Sequence, residues 1–186
     1  MSENAREAIL EAARRTAQAH GYGGLNFRDI GAEVGIKAAS IYHHFASKAD
    51  LGAAVAKRYW EDASARLEAL AKSAGGPTKA IQAYPGLFRR SLEEDNRMCL
   101  CSFMAAESDD LPEAVKKEVL AFADVNVAWL TRMLNAGSTS RGKNERRARA
   151  IYAAVAGAQL IARSRADLNL FDTLIAGYRE SGLIPS

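Results

Sequence analysis

The chain has 186 residues, of which 48% are hydrophobic and 25% charged, enough for one generous domain or two small ones around a real apolar core. No apolar run approaches the ~18 residues needed to span a bilayer, and the opening MSENAREAIL carries early acidic charge without a hydrophobic region, so it does not read as a secretory signal. Two cysteines, two positions apart, give no disulfide framework, and the expected location is the cytoplasm.

The formal net charge of +3 hints at an anionic partner without establishing one. Over residues 1–50 six Lys/Arg (Arg6, Arg14, Arg15, Arg28, Lys37, Lys48) face six Asp/Glu (Glu3, Glu7, Glu11, Asp29, Glu33, Asp50). A nucleic-acid site in this segment therefore depends on where its basic groups stand, since the segment has no bulk positive charge.

In chain order, the pattern is helical throughout. Residues 3–20 place Ile9, Ala12, Ala13, Thr16 and Ala17 on one stripe at helical spacing. Gly21, Gly23 and Gly24 break it, and Asn26 can cap a short helix over 27–34 with Phe27, Ile30 and Val34 inward. Gly35 interrupts, and a third short helix is expected from about Ala38 to Phe45. Ser47 suits the cap of a long helix in which Leu51, Val55, Tyr59, Ala63, Leu67 and Leu70 recur, ending near AGGP at 74–77.

Beyond it, residues 78–94 contain Pro85–Gly86, which should kink or interrupt a helix. Residues 97–108 form an apolar segment around the cysteines. Pro112 suits the first turn of a helix to about Ala136, with Val115, Val119, Phe122, Asn126, Trp129 and Met133 on one face. The loop GSTSRGKN leads to helices over roughly 145–165 and 167–180. No stretch alternates with period two. The expected fold is all-α, divided into an N-terminal helix-turn-helix domain (1–48) and a helical effector-binding and dimerisation domain (49–186).

Residues 27–45 have the layout of a helix-turn-helix, in which the second helix can enter the major groove while the first crosses the backbone. Ala38 and Ala39 are small enough to let that helix approach the bases. Lys37, Ser40, Tyr42, His43, His44 and Lys48 supply donors, Asn26 and Arg28 at the head of the first helix complete the candidate DNA contacts, and Ile41 and Phe45 should face inward as anchors. The adjacent histidines cannot chelate one metal ion, because neighbours on a helix point about 100° apart; no metal site and no cofactor are expected.

The stretch FRDIGAEVGIKAASIYHHFASKADL (27–51) resembles the DNA-binding domain of the tetracycline-repressor (TetR/AcrR) family. Ile30, Gly35, Ile36, Ile41, Tyr42, His44, Phe45, Ser47, Lys48, Asp50 and Leu51 stand in register with the family pattern, whereas Gly31 replaces the commoner alanine and Lys37 the usual Ser/Thr. The resemblance implies that Tyr42, His44 and Lys48 contact phosphates while residues 37–43 face base edges. It also implies a homodimer formed by the last two helices, for which AIYAAVAGAQLIA (150–162) and Leu168, Leu170, Phe171, Leu174 and Ile175 are suitable. On this reading the chain is a non-enzymatic, ligand-responsive regulator, more a repressor than an activator, with double-stranded operator DNA, a small-molecule effector and its own copy as partners, and no membrane. Protonation of the histidines should strengthen DNA binding.

Three further signals carry competing readings. MCLCSFMAAE (98–107) resembles the effector segment of NemR-like members of that family, where a cysteine senses electrophiles; the plainer reading makes Cys99 and Cys101 core residues. GSTSRGK (137–143) fits the first part of a phosphate-binding loop, but Asn144 stands where Ser/Thr is needed and a helix precedes it, so a nucleotide hydrolase is a weak alternative. A helical adaptor that does not bind DNA is another. Trp60, Phe88, Cys101, Met104, Phe122, Asn126 and Trp129 are the candidate ligand-binding residues, an apolar set whose plainer reading is core packing, in which the Asn126 amide either orients a small molecule or bonds a neighbouring backbone.

Overall fold

The computed structural model describes residues 2–136 and 141–186, and every regular element among them is helical. Helix α1 (Ser2–His20) buries Ile9, Ala12, Ala13 and Ala17, the stripe expected from spacing, and stops at Gly21 with φ +68°. Asn26 caps α2 (Phe27–Val34), its side-chain oxygen accepting from the Arg28 N–H at 2.8 Å. At the other end Gly35 turns the chain at φ +79°, and both Gly35 N–H and Ile36 N–H bond the Gly31 carbonyl. This glycine-made turn leads directly into α3 (Ala38–Ile41).

Helix α3 is shorter than the expected 38–45. Bonds from His43 N–H to Ser40 O and from His44 N–H to Ile41 O tighten the chain into turns after Ile41. The next helix, α4 (Lys48–Ser73), begins with a reciprocal cap: Ser47 Oγ accepts from Asp50 N–H at 3.1 Å and donates to the Asp50 carboxylate at 2.8 Å. Gly75 and Gly76, both at positive φ, end it where AGGP predicted.

Pro85 splits the following segment outright into α5 (Pro77–Ala83) and α6 (Pro85–Glu93). Helix α7 (Leu100–Ala106) starts one residue after Cys99, and a 3-10 turn (Ser108–Asp110) follows it. Pro112 lies just outside α8 (Glu113–Asn135), its carbonyl accepting from Val115 and Lys116, so it precedes the first turn rather than joining it. Val115, Val119, Phe122, Asn126 and Trp129 are all buried on this helix, but Met133 is only half-buried and Leu130 and Leu134 take its place. Helix α9 (Arg141–Ser164) starts four residues earlier than the expected 145, so Arg141–Asn144 are helix rather than loop. Asp167 caps α10 (Leu168–Glu180) through the Leu170 N–H.

The chain divides into two compact units. The first comprises residues 1–61 and 100–122; its core is Ile9, Leu25, Ile30, Ile41, Phe45, Leu51 and Val55, with the rings of Tyr59 and Phe122 5.5 Å apart. The second comprises 62–99 and 123–186, where α9 packs on α6 and α10 around Tyr84, Leu130, Ile151, Val155 and Phe171. Helices α4 and α8 each contribute residues to both.

Candidate nucleic-acid interface

The helix-turn-helix sorts its side chains as an anchored reading segment requires. Ile41 is wholly buried and Phe45 nearly so, with the Arg6 guanidinium over the Phe45 ring at 5.2 Å. Between these anchors Tyr42 and His43 are exposed and His44 is half-buried; before them Lys37 and Ala39 are exposed and Ala38 and Ser40 half-buried. Tyr42 combines 59% exposure with an edge-on contact to Phe27, ring centroids 4.7 Å apart. Its ring is thus oriented while its hydroxyl end stays in water.

Lys37 holds the N-cap position of α3 without a side-chain cap bond, the cost of replacing an oxygen-bearing residue there. Gly31 is needed by the turn: a Cβ on it would lie 2.8 Å from the Ile36 carbonyl oxygen and 3.3 Å from the Ala38 nitrogen. The departure from alanine at this position therefore lets α2 and the start of α3 approach more closely. Asn26 and Arg28 are both exposed at the head of α2, Asn26 occupied by its cap and Arg28 3.9 Å from the Asp29 carboxylate.

Lys48, at the start of α4, donates to the Gly23 carbonyl at 3.0 Å, with its Nζ 4.7 Å from the centre of the Tyr22 ring. That loop is in turn held by Glu107, which accepts from the backbone N–H of Tyr22 at 2.6 Å and of Gly23 at 3.0 Å. Sequence reading missed both Tyr22 and Glu107. The only local signal was the density of glycine in GYGG, which marks a close approach without naming what approaches.

The candidate ligand residues fall into two groups. Phe88, Asn126 and Trp129 gather in the second unit around Tyr84, whose hydroxyl donates to Asn126 Oδ1 at 2.8 Å and whose ring lies 5.5 Å from Phe88 and 5.8 Å from Trp129. Burial pushes the Tyr84 phenol well above its ordinary pKa, with smaller contributions from Tyr152 and Cys99, so it remains a neutral donor. Beside this cluster lies an open cavity of about 290 Å³ between α4 and α8, walled by Leu67, Val125, Ala128 and Trp129 and edged by Ser64, Glu68 and Arg132. Trp60, Cys101, Met104 and Phe122 belong to the first unit, where Cys101, Met104 and Phe122 are core and Trp60 Nε1–H donates to Glu118 at 2.8 Å.

Gln159 was also missed. It is fully buried on α9, its Oε1 accepting from Cys99 N–H at 3.0 Å and its Nε2–H donating to the Phe88 carbonyl at 2.7 Å. Cys99 and Cys101 are themselves buried and in no disulfide, the setting of packing thiols rather than of accessible nucleophiles. Of the phosphate-loop pattern, 137–140 lie outside the described residues, whereas Gly142 and Lys143 are in the first turn of α9. Asn144 is buried there, donating to Asn135 Oδ1 and the Leu134 carbonyl, and so closes the end of α8. Among the described residues no group of His, Cys, Asp and Glu could hold a metal ion, and no helix is long and apolar enough to cross a membrane.

The helix-turn-helix geometry agrees with comparison to known proteins. Residues 9–55 match the family model for bacterial regulatory proteins of the tetR family. A TetR-family transcriptional regulator from Agrobacterium tumefaciens superposes with a TM-score of 0.86 at 31% identity, over 96% of this chain and 97% of that one. The chain belongs to the TetR family. It is therefore a DNA-binding transcription regulator, and its all-helical C-terminal part is that of a TetR protein. The transcriptional repressor AcnR of Corynebacterium diphtheriae is 40% identical over 68 residues, 37% of this chain and 34% of that relative, so the match spans about a third of its length. Reduced NemR of E. coli shares the fold (TM-score 0.81, 95% of this chain and 96% of that one) at 24% identity, which gives no specific support to a NemR-like effector segment.

Proposed function

We propose that this TetR protein is a cytoplasmic, homodimeric repressor whose segment 37–44 reads operator DNA and whose second unit takes a small effector. The observation that carries the reading is the sorting of one short segment: Ile41 and Phe45 sealed inside, Lys37, Tyr42 and His43 presented outside. Tyr42, His44 and Lys48 hold phosphates, while Lys37, Ala38, Ala39, Ser40 and His43 meet base edges. Asn26 and Arg28 flank them at the head of α2. Functionally, 1–48 is the DNA-binding part and 49–186 the responsive part.

Dimerisation through α9 and α10 has support in what those helices leave open. Leu160 and Ile161 are exposed on α9, and nothing lies within 4 Å of a Cβ built on Gly157 or Gly177, which leaves room for a partner helix to approach closely. A symmetric dimer then sets two reading segments on a palindromic site. Repression is inferred from AcnR, the transcriptional repressor matched over the DNA-binding segment.

For the effector, the supporting observation is the Trp129 indole. Its Nε1–H is buried with no hydrogen-bond partner among the described residues, on a helix whose apolar face borders the 290 Å³ cavity. A small amphipathic molecule with an acceptor group suits that site, where Leu67, Val125, Ala128 and Trp129 form the wall and Tyr84, with Phe88 and Asn126 against it, packs on Trp129 from behind. Release requires that the effector bind the DNA-incompetent state more tightly than the competent one. Selection of bound duplexes from a random library, followed by a screen for compounds that release the protein and quench tryptophan fluorescence, tests the reading. A palindromic consensus is expected; a chain that dimerises yet selects no sequence contradicts it.

A further inference from the structure

The loop between α1 and α2 is held by a residue more than eighty positions along the chain. Glu107, one residue past α7, accepts from Tyr22 N–H at 2.6 Å through one carboxylate oxygen and from Gly23 N–H at 3.0 Å through the other. Two charge-assisted bonds from consecutive peptide groups fix the orientation of that backbone more firmly than either would alone. The glycines are what admit the carboxylate: a Cβ on Gly21 would lie 2.3 Å from one Glu107 oxygen, and a Cβ on Gly23 would lie 3.2 Å from the other.

The same two residues seat Lys48. The Gly23 carbonyl accepts from its Nζ at 3.0 Å, and the Tyr22 ring lies beneath its charge at 4.7 Å. Tyr22 rests in turn on α4 at Gly52, where any Cβ would come within 2.8 Å of the ring. One carboxylate, one ring and one carbonyl thus form a continuous support under a lysine at the start of α4. An ammonium has three donors, so a bond to Gly23 leaves two for a phosphate.

We propose that Glu107 is a positioning residue for DNA binding, acting through the backbone of Tyr22 and Gly23 to hold Lys48 in the place where it meets a phosphate. Glu107 itself touches no DNA. Its carboxylate keeps the Gly23 carbonyl turned toward Lys48, and a long flexible side chain thereby enters the complex already ordered. Without the clamp Tyr22 N–H and Gly23 N–H turn to solvent, the carbonyl is no longer fixed, and Lys48 must be ordered by the DNA. The inference rests on the DNA-binding reading above, and it adds that the α7 end of the first unit takes part in setting affinity.

The test is a double-mutant cycle on the full-length protein, read as affinity for the wild-type protein's selected duplex across a salt series. Lys48→Ala should lose about tenfold in affinity and lower the salt slope by about 1. Glu107→Ala should lose a similar factor, and the double variant should bind no more weakly than Lys48→Ala, because the two side chains act through one contact. Glu107→Gln, which keeps one acceptor and the packing of the side chain, should fall between wild type and Glu107→Ala and serves if the alanine variant is poorly folded. Losses that add in the double variant, or a folded Glu107→Gln with wild-type affinity, overturn the role of Glu107 and leave the regulator reading intact. A wild-type chain that prefers no duplex overturns both.

Discussion

The proposed reading segment at 37–44 and the interior of the second unit use polar side chains in opposite ways. In the first, Lys37, Tyr42 and His43 are exposed, on a segment anchored by the apolar side chains of Ile41 and Phe45. In the second, Gln159, Asn126 and Tyr84 are buried and bonded to each other or to backbone, and their neighbours depend on them. Removing a polar group from the surface should therefore cost recognition and little stability, whereas removing one from the interior should cost stability first. A buried donor or acceptor that loses its partner gives up the full desolvation penalty, while an exposed one turns to water.

The largest expected effect is on the interior side. Gln159→Leu takes the side-chain acceptor from Cys99 N–H and a second donor from the Phe88 carbonyl, which keeps its place in the α6 ladder, and urea unfolding should show a loss of about 1–3 kcal/mol. A loss below about 1 kcal/mol would mean that other groups or water take over those bonds, and the contrast between the regions would weaken. On the surface side, His43→Ala should change unfolding free energy by no more than about 0.5 kcal/mol. Its affinity for the selected duplex should nevertheless fall by about 1–3 kcal/mol, measured by fluorescence anisotropy.

Gly35→Ala sharpens the comparison at the turn that joins the two helices of the reading motif. The backbone there sits at φ +79° with open space around it, so strain rather than crowding should cost about 1–2 kcal/mol of stability. A normal melting temperature would show that the turn relaxes without the left-handed residue.

The smallest expected effect is a surface ion pair. Arg89 donates to both carboxylate oxygens of Asp172, at 2.8 and 2.9 Å, and these bonds hold the Asp172 carboxyl below its ordinary pKa. A depressed carboxylate contributes stability above its unfolded value near 4 and loses it as pH falls through the folded value. Because the pair is largely in solvent, Asp172→Asn should cost under about 1 kcal/mol at pH 7 and less as the solution is acidified below about pH 4. An equal cost at pH 7 and pH 3 would remove the electrostatic explanation.

What could be read in the sequence follows the same division. The proposed reading segment is local: its anchors, caps and turn lie within twenty-five residues, so residue type and spacing placed α2, Gly35 and the Ser47 cap, though not Asp50 as the partner of Ser47. The third helix came out too long because Tyr42 to Phe45 keep helical spacing while their backbone tightens into turns. Phe88, Asn126 and Trp129 were visible as suitable residue types, but Tyr84 as their centre was not, since the Tyr84–Asn126 bond spans 42 positions. Gln159 sits in an alanine-rich run that also suits a helix interface, and nothing nearby shows that its partners come from residues 88 and 99. Glu107 resembles a solvated acid at the end of a helix until the glycine loop is folded against it.

Repeating the duplex selection with Ser40→Ala and His43→Ala proteins shows whether residues 37–44 read base sequence. The expected consensus loses preference at one symmetric pair of positions in each variant, with the rest of the site unchanged. A consensus identical to the wild-type one in both variants would contradict it.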